Sequence, residues 1–234
     1  MPTSAKEKII VAIDAPDTAS ALRFVDPLVG EGCIFKIGLQ LFTAEGPDVV
    51  RRIKALGAKV FLDLKFHDIP NTAMEAMRSA VALGVDMATI HLSGGPDMVK
   101  AAVNAAESSD TLVLGVTVLT SMDEESLSAV GFAHSATDQV LRLAGMGAKS
   151  GLRGVVASPM EIRPLREAFG NQFAIITPGV RPSGADRGDQ RRVMTPAEAV
   201  RHGADYLVIG RPITGAPSPL DAFRSIADEM EEPD

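Results

Sequence analysis

The sequence predicts an α/β protein, a single-domain (β/α)8 TIM barrel over residues 1–234. Three observations predict it. Eight short apolar segments recur along the chain, each followed by a segment with helical period and cap residues. The charged residues of those segments gather at their carboxyl ends, the rim where barrels of this class build their sites. No linker or low-complexity tract divides the chain. A doubly wound sheet is the competing architecture. It usually carries a glycine fingerprint after its first strand, and Asp14-Ala15-Pro16-Asp17 stands there instead.

Residues 9–14 form the first strand, with Ile9, Val11 and Ile13 on one face and Ile10, Ala12 and Asp14 on the other. Asp17 or Thr18 caps the following helix, which runs to residue 29. Residues 33–38 form the second strand, whose apolar run Lys36 interrupts. Residues 45–56 read as a helix stopped by Gly57. Residues 60–65 form the third strand. Phe61, Asp63 and Lys65 share one of its faces, and Val60, Leu62 and Leu64 pack on helices. Pro70, Asn71 and Thr72 supply turn and cap chemistry for a helix that Gly84 stops. Residues 87–92 form the fourth strand, and the glycine loop Ser93-Gly94-Gly95-Pro96 opens the next helix. Residues 111–119 form the fifth strand, ending at Thr120 and Ser121. Helices near Glu124 and over 138–149 precede the sixth strand, 154–158, and its helix, 159–169. The seventh strand, 173–179, leads into a polar loop, 180–193. Thr195-Pro196-Ala197-Glu198 is a capping box with proline at the first helical position. Residues 206–211 form the eighth strand, and Ser218-Pro219-Leu220-Asp221 repeats the cap logic before the last helix.

The composition is 46% hydrophobic and 23% charged, ordinary for a water-soluble fold with a sizeable core. A formal net charge of -7 argues against a nucleic-acid surface but leaves room for a local basic pocket. The one cysteine, Cys33, cannot form an intrachain disulfide and reads as a core residue in a reducing compartment. Residues 1–8 are polar with no signal-like run, and no segment reaches the roughly 18 apolar residues of a membrane span. These features predict a cytoplasmic protein without membrane contact.

Isolated charges at the end of a core strand are rare unless paired or needed. Asp14, Lys36, Asp63, Lys65 and Asp68 stand at such places and can make an alternating array. On spacing alone that array also fits a structural ion-pair network at the barrel mouth. A metal site on Asp63, His67, Asp68 or His91 is a further reading, opposed by the ammonium of Lys65 between the acids. The far side of the rim holds Gly210-Arg211 and a loop with Arg181, Arg187, Gln190, Arg191 and Arg192. Barrels often bind phosphate between the loops after strands seven and eight, where arginine supplies a fork of donors. The loop is longer than common connections and carries Ser183, Gly184 and Gly188, so it is expected to close over a ligand.

The run Asp63-Leu64-Lys65-Phe66-His67-Asp68-Ile69-Pro70-Asn71-Thr72 resembles the signature of the orotidine 5′-phosphate decarboxylase family. Its D-x-K-x-x-D core is shared with a wider suprafamily of phosphosugar barrels, and Ile69-Pro70-Asn71-Thr72 narrows it to the decarboxylases. Matches continue at Asp14, at Phe35-Lys36-Ile37-Gly38 and at Leu119-Thr120-Ser121-Met122. They extend to Pro178-Gly179-Val180-Arg181-Pro182 with Gln190, and to Gly210-Arg211. The resemblance spans the first strand to the eighth, at a length similar to the bacterial monofunctional form.

It implies conversion of orotidine 5′-phosphate to UMP and carbon dioxide, the last step of de novo pyrimidine synthesis, with no metal and no organic cofactor. It implies that Lys65 stabilises the C6 carbanion and protonates it. Asp63 would sit near the departing carboxylate, and Asp68 would hold the charge array, of which Lys36 is part. Asp14, Lys36 and Thr72 would contact the ribose hydroxyls, and Thr120 and Ser121 the pyrimidine edge. Arg181, Gln190, Gly210 and Arg211 would serve the phosphate, with Pro178 in the same substrate-binding set. The resemblance also implies a homodimer in which Asp68 and Thr72 reach the neighbouring subunit's site. Two other functions share parts of the pattern. A metal-dependent phosphosugar decarboxylase or aldolase would lack the Ile69-to-Thr72 continuation. A silent nucleotide-binding barrel would not need an amine between two acids.

Overall fold

Runs such as Ile9-Ile10-Val11-Ala12-Ile13 have no polar face, so they are stable only with both faces covered. The computed structural model, which describes residues 2–182 and 194–231, covers them by closing the sheet. Eight parallel strands follow one another around a barrel: β1 Ile9–Ile13, β2 Ile34–Gly38, β3 Lys59–Phe66, β4 Met87–His91, β5 Leu112–Val116, β6 Gly154–Val156, β7 Ala174–Pro178 and β8 Tyr206–Ile209. β1 pairs with both β2 and β8, which closes the ring.

Strand alternation then sorts the side chains into two cores. Ile10, Ala12, Ile34, Phe61, Met87, Leu114 and Ile176 fill the barrel interior. Ile9, Val11, Phe35, Val60, Leu62 and Ile175 face the helices. Each fully buried side chain of this size stabilises by about 1.5–3 kcal/mol. The interior is tight enough to exclude further atoms. A Cβ at Gly154 would come within 2.4 Å of Leu114, so Leu114 takes the space a side chain on β6 would need.

The local signals are mostly met. Asp17 accepts from the Ser20 amide at 2.7 Å and caps Thr18–Val25. The capping box at Thr195 is formed in full and starts Pro196–Arg201. The Asp221 amide donates to Ser218 at 3.4 Å at the start of Pro219–Glu231. The helix expected over 45–56 is present as Pro47–Ala55, and a separate, unanticipated helix, Leu39–Glu45, precedes it. Gly46 lies between them at φ 65°, a left-handed conformation that ends the first, and Pro47 fits only the first turn of the second. The fifth strand stops at Val116, so residues 117–121 are loop and free to line the barrel mouth. Among the described residues no helix is long and apolar enough to cross a membrane.

Candidate active site

The site begins where the interior stops being apolar. Lys36 follows Ile34 on the inward face of β2, Asp63 follows Phe61 on β3, and Asp14 follows Ala12 just past β1. One layer above the core these three converge. Lys36 Nζ lies 3.7 Å from Asp14 Oδ1 and 3.7 Å from Asp63 Oδ2. Lys65 Nζ donates to the other oxygen of Asp63, Oδ1, at 2.9 Å. The result is an alternating chain, Asp14–Lys36–Asp63–Lys65, with Lys36 and Asp63 mostly buried. Gly38 and Gly210 leave it room. A Cβ at Gly38 would sit 3.1 Å from Lys36 Nζ.

Lys65 reaches this array through an irregular backbone. Pairing of β3 with β4 runs through Phe61↔Met87 and Leu62↔Ala88, slips, and resumes at Phe66↔Ile90. Inside the slip Lys65 has φ 51°, and it is the one non-glycine with positive φ among the described residues. Such a conformation is disfavoured for a residue with a Cβ and persists only where the surroundings impose it. Simple alternation places Phe61, Asp63 and Lys65 on one face, and the two charges do meet. The bulge is what aims the second of them.

A cavity of about 340 Å³ opens above the array at the carboxyl ends of the strands. It brings together Asp14, Lys36, Asp63, Lys65, Thr120, Ser121, Pro178, Arg181, Gly210 and Arg211. The acids and amines come from β1 to β3, and Arg181 and Arg211 from the loops after β7 and β8. In a ring of eight, β3 and β7 face each other, so the guanidinium forks stand across the mouth from the Lys65 ammonium. Val116, Val118 and Val156 give the wall between them an apolar surface. Arg181 is buried, and its Nη1 donates to the Val180 carbonyl at 2.9 Å. The strand-like bridge Val180↔Met194 and the Arg181 amide to Met194 carbonyl bond, 3.0 Å, hold the two ends of the long loop together.

Two expected residues are not in this cavity. Asp68 and Thr72 are exposed outside it, and Asp68 Oδ1 accepts only a local bond from the Ile69 amide, 2.7 Å, among the bonds seen. Gln190 lies outside the described residues, as do Ser183, Gly184, Arg187, Gly188, Arg191 and Arg192.

The histidines take supporting places. His67 and His91 stack with ring centroids 5.4 Å apart. Burial holds the His91 imidazole below its ordinary pKa, and His67 and Lys65 push the same way. Its Nδ1 receives the Ser93 amide at 3.4 Å and caps the turn Leu92–Gly94, so it orients the loop after β4. Among the described residues no group of three or more His, Cys, Asp or Glu side chains is arranged to hold a metal ion. Cys33 is buried, and burial pushes its thiol up to about 12, so it is a core residue without nucleophilic character at neutral pH.

One site residue was not anticipated. Thr89, fully buried on β4, donates to Asp63 Oδ1 at 3.0 Å and accepts from the Lys65 amide at 2.9 Å. The signal available in the sequence was a hydroxyl inside the apolar run Met87-Ala88-Thr89-Ile90, in phase with Met87. Nothing in that run says which strand it would face.

Comparison with known proteins identifies the family. Residues 7–226 match the family described as orotidine 5′-phosphate decarboxylase / HUMPS. The chain is 54% identical over 235 residues to an orotidine 5′-phosphate decarboxylase of Moorella thermoacetica, covering 97% of this chain and 93% of that one. It is 48% identical over 227 residues to one of Vibrio parahaemolyticus, covering 96% and 97%. A crystal structure of orotidine 5′-phosphate decarboxylase from Lactobacillus acidophilus superposes with a TM-score of 0.86 at 34% identity, covering 96% of this chain and 99% of that one.

Proposed function

The chain belongs to the orotidine 5′-phosphate decarboxylase / HUMPS family, and on that premise we infer how its own residues perform the reaction. The protein is a carboxy-lyase of pyrimidine biosynthesis that converts orotidine 5′-phosphate to UMP and carbon dioxide. Breaking the bond between C6 and the carboxylate leaves an electron pair on C6 in the plane of the pyrimidine, where the ring π system cannot take it up. No organic electron sink is needed if fixed charge meets that pair directly.

Lys65 is our assignment for that charge. The observation that carries it is the ammonium held 2.9 Å from Asp63 at the cavity floor, facing arginines across the mouth. A substrate anchored by its phosphate on Arg181, Arg211 and the Gly210 backbone, with Gln190 assisting, would lay its ring over Asp63 and Lys65. As carbon dioxide leaves, one Lys65 N–H bond breaks and its proton forms the new C6–H bond. The neutral amine then regains a proton from water. Asp63, beside the departing carboxylate, keeps the ammonium oriented, and Lys36 keeps Asp63 from being an isolated buried anion. We assign Asp14 and Lys36 to the ribose hydroxyls and Thr120 and Ser121 to the pyrimidine edge, with Pro178 in the same substrate-binding set; that all of them line the cavity supports this. Binding energy from the remote phosphate is what holds the ring in register.

We assign Asp68 and Thr72 to the neighbouring subunit's site in a homodimer. Their exposure just past β3 supports this, as do two bare apolar side chains on the same rim, Leu39 at 56% and Ile69 at 67% exposure. Residues 1–234 then act as one catalytic domain per subunit. The acidic balance and single cysteine suit a cytoplasmic enzyme that binds neither nucleic acid nor membrane.

The mechanism predicts turnover by these side chains with no metal ion. Purified protein with orotidine 5′-phosphate and excess chelator is expected to show the pyrimidine absorbance change at the rate seen without chelator. A rate abolished by chelator and restored by a divalent cation would refute it.

A further inference from the structure

We propose that Thr89 is a positioning residue for the reaction: one hydroxyl fixes both the backbone of Lys65 and the carboxylate that faces its ammonium. The inference rests on the assignment of Lys65 and Asp63 as the reacting pair. Thr89 does not line the cavity, so it acts through them and not on the substrate.

The geometry is economical in atoms. A threonine hydroxyl has one hydrogen to give and lone pairs to receive with. Here the hydrogen goes to Asp63 Oδ1 at 3.0 Å, and the oxygen receives the Lys65 amide at 2.9 Å. The Lys65 amide lies within the slip between Leu62 and Phe66, where the ladder to β4 is interrupted. A side chain of β4 therefore supplies the bond that the β4 backbone does not. It does so at the residue with φ 51°, the conformation most in need of an external hold.

Asp63 Oδ1 is shared between the Thr89 hydroxyl and Lys65 Nζ, 2.9 Å away. The hydroxyl thus sets the rotamer of the acid, and the acid sets the place of the ammonium. Thr89 is completely buried, so water cannot take over either bond if the hydroxyl is removed. A site whose rate depends on where one ammonium stands relative to one ring carbon is sensitive to shifts of an ångström or less. On the assignment above, substrate binding depends mainly on the phosphate and pyrimidine contacts, none of which Thr89 touches.

The test uses Thr89→Val, which keeps the shape and removes the hydroxyl, with Thr89→Ser to restore it and Lys65→Ala in parallel. For Thr89→Val we expect kcat to fall about 10–100-fold while the Kd for UMP moves less than about threefold. Thr89→Ser should return kcat to within about threefold of wild type. A purely structural role would lower both variants' stability without this split between kcat and UMP binding, or would leave Thr89→Ser as impaired as Thr89→Val. Either result overturns the proposal, as does unchanged kcat in Thr89→Val. If Thr89→Val does not fold at the assay temperature, Thr89→Cys is measured instead, a near-isostere with a weak donor. A kcat equal to that of Thr89→Ser would then overturn it. Turnover retained in Lys65→Ala removes the group being positioned and sinks both assignments. Turnover lost there but intact in Thr89→Val sinks that of Thr89 alone.

Discussion

At the scale of single residues, the pattern D-x-K-x-x-D carries most of what a sequence can say, and it says different things about its three charges. Asp63 was placed by strand alternation with Phe61, and it sits inward above Phe61 as alternation requires. Lys65 was placed by the same rule, but its left-handed backbone means the rule met the right answer by another route. A period-2 reading cannot see a bulge, because a bulge is decided by what the neighbouring strand offers, here Thr89. Asp68 follows only three residues later, yet it is exposed and does not line the cavity of its own chain. Lys65 is the sharpest assignment to test. Lys65→Ala is expected to lower turnover by at least about 10³-fold, as loss of a proton donor and its charge together would. Its affinity for UMP should stay within about tenfold, measured by calorimetry. A variant that still turns over at a tenth of the wild-type rate would remove Lys65 from its role.

At the scale of elements, strands were more legible than the helices between them. A buried parallel strand is a short, nearly continuous apolar run, and each of the eight was visible as one. Helix ends were visible where a cap was written out, as at Asp17 and Thr195. Leu39–Glu45 was not anticipated because its N-cap is Gly38, which offers no side-chain cap. Contacts that tie elements together over long distances in sequence were also not legible. Glu31 is the clearest case. It joins Lys6 at 2.7 Å, beside the first strand, to Arg224 at 2.6 Å on the last helix. Bonds from Arg224, then from Lys6, hold the Glu31 carboxyl down at about 2. Its folded pKa is below the unfolded one, so its stabilisation is complete above about pH 4.5. It fades as pH falls towards 2. Lys6 and Arg224 are each about half in solvent, so Glu31→Gln should cost about 0.5–1 kcal/mol at pH 7. That gap should shrink in melts taken at successively lower pH below 4.5. A gap that stays constant down to pH 2.5 would show that the clamp is not what Glu31 contributes.

At the scale of the whole molecule, closure is what makes a site from scattered residues. Asp14 and Arg211 are nearly the whole chain apart, and β1 pairing with β8 puts both on one cavity. The gradient along the strands, apolar below and polar at the carboxyl end, was legible because it repeats in most of the eight. The proposed assembly was not, since one chain's composition does not record what would cover Leu39, Ile69, Asp68 and Thr72, all exposed in the single chain. The central claim is that the reaction centre is one array of charges, Asp63 and Lys65 from one subunit completed by Asp68 from the other. Mixing Lys65→Ala with Asp68→Ala under conditions that exchange subunits tests it most directly. Each heterodimer would then hold one fully native site, so two nearly inactive proteins are expected to recover up to about a quarter of wild-type turnover. A mixture that stays at the level of its separate components would contradict the account.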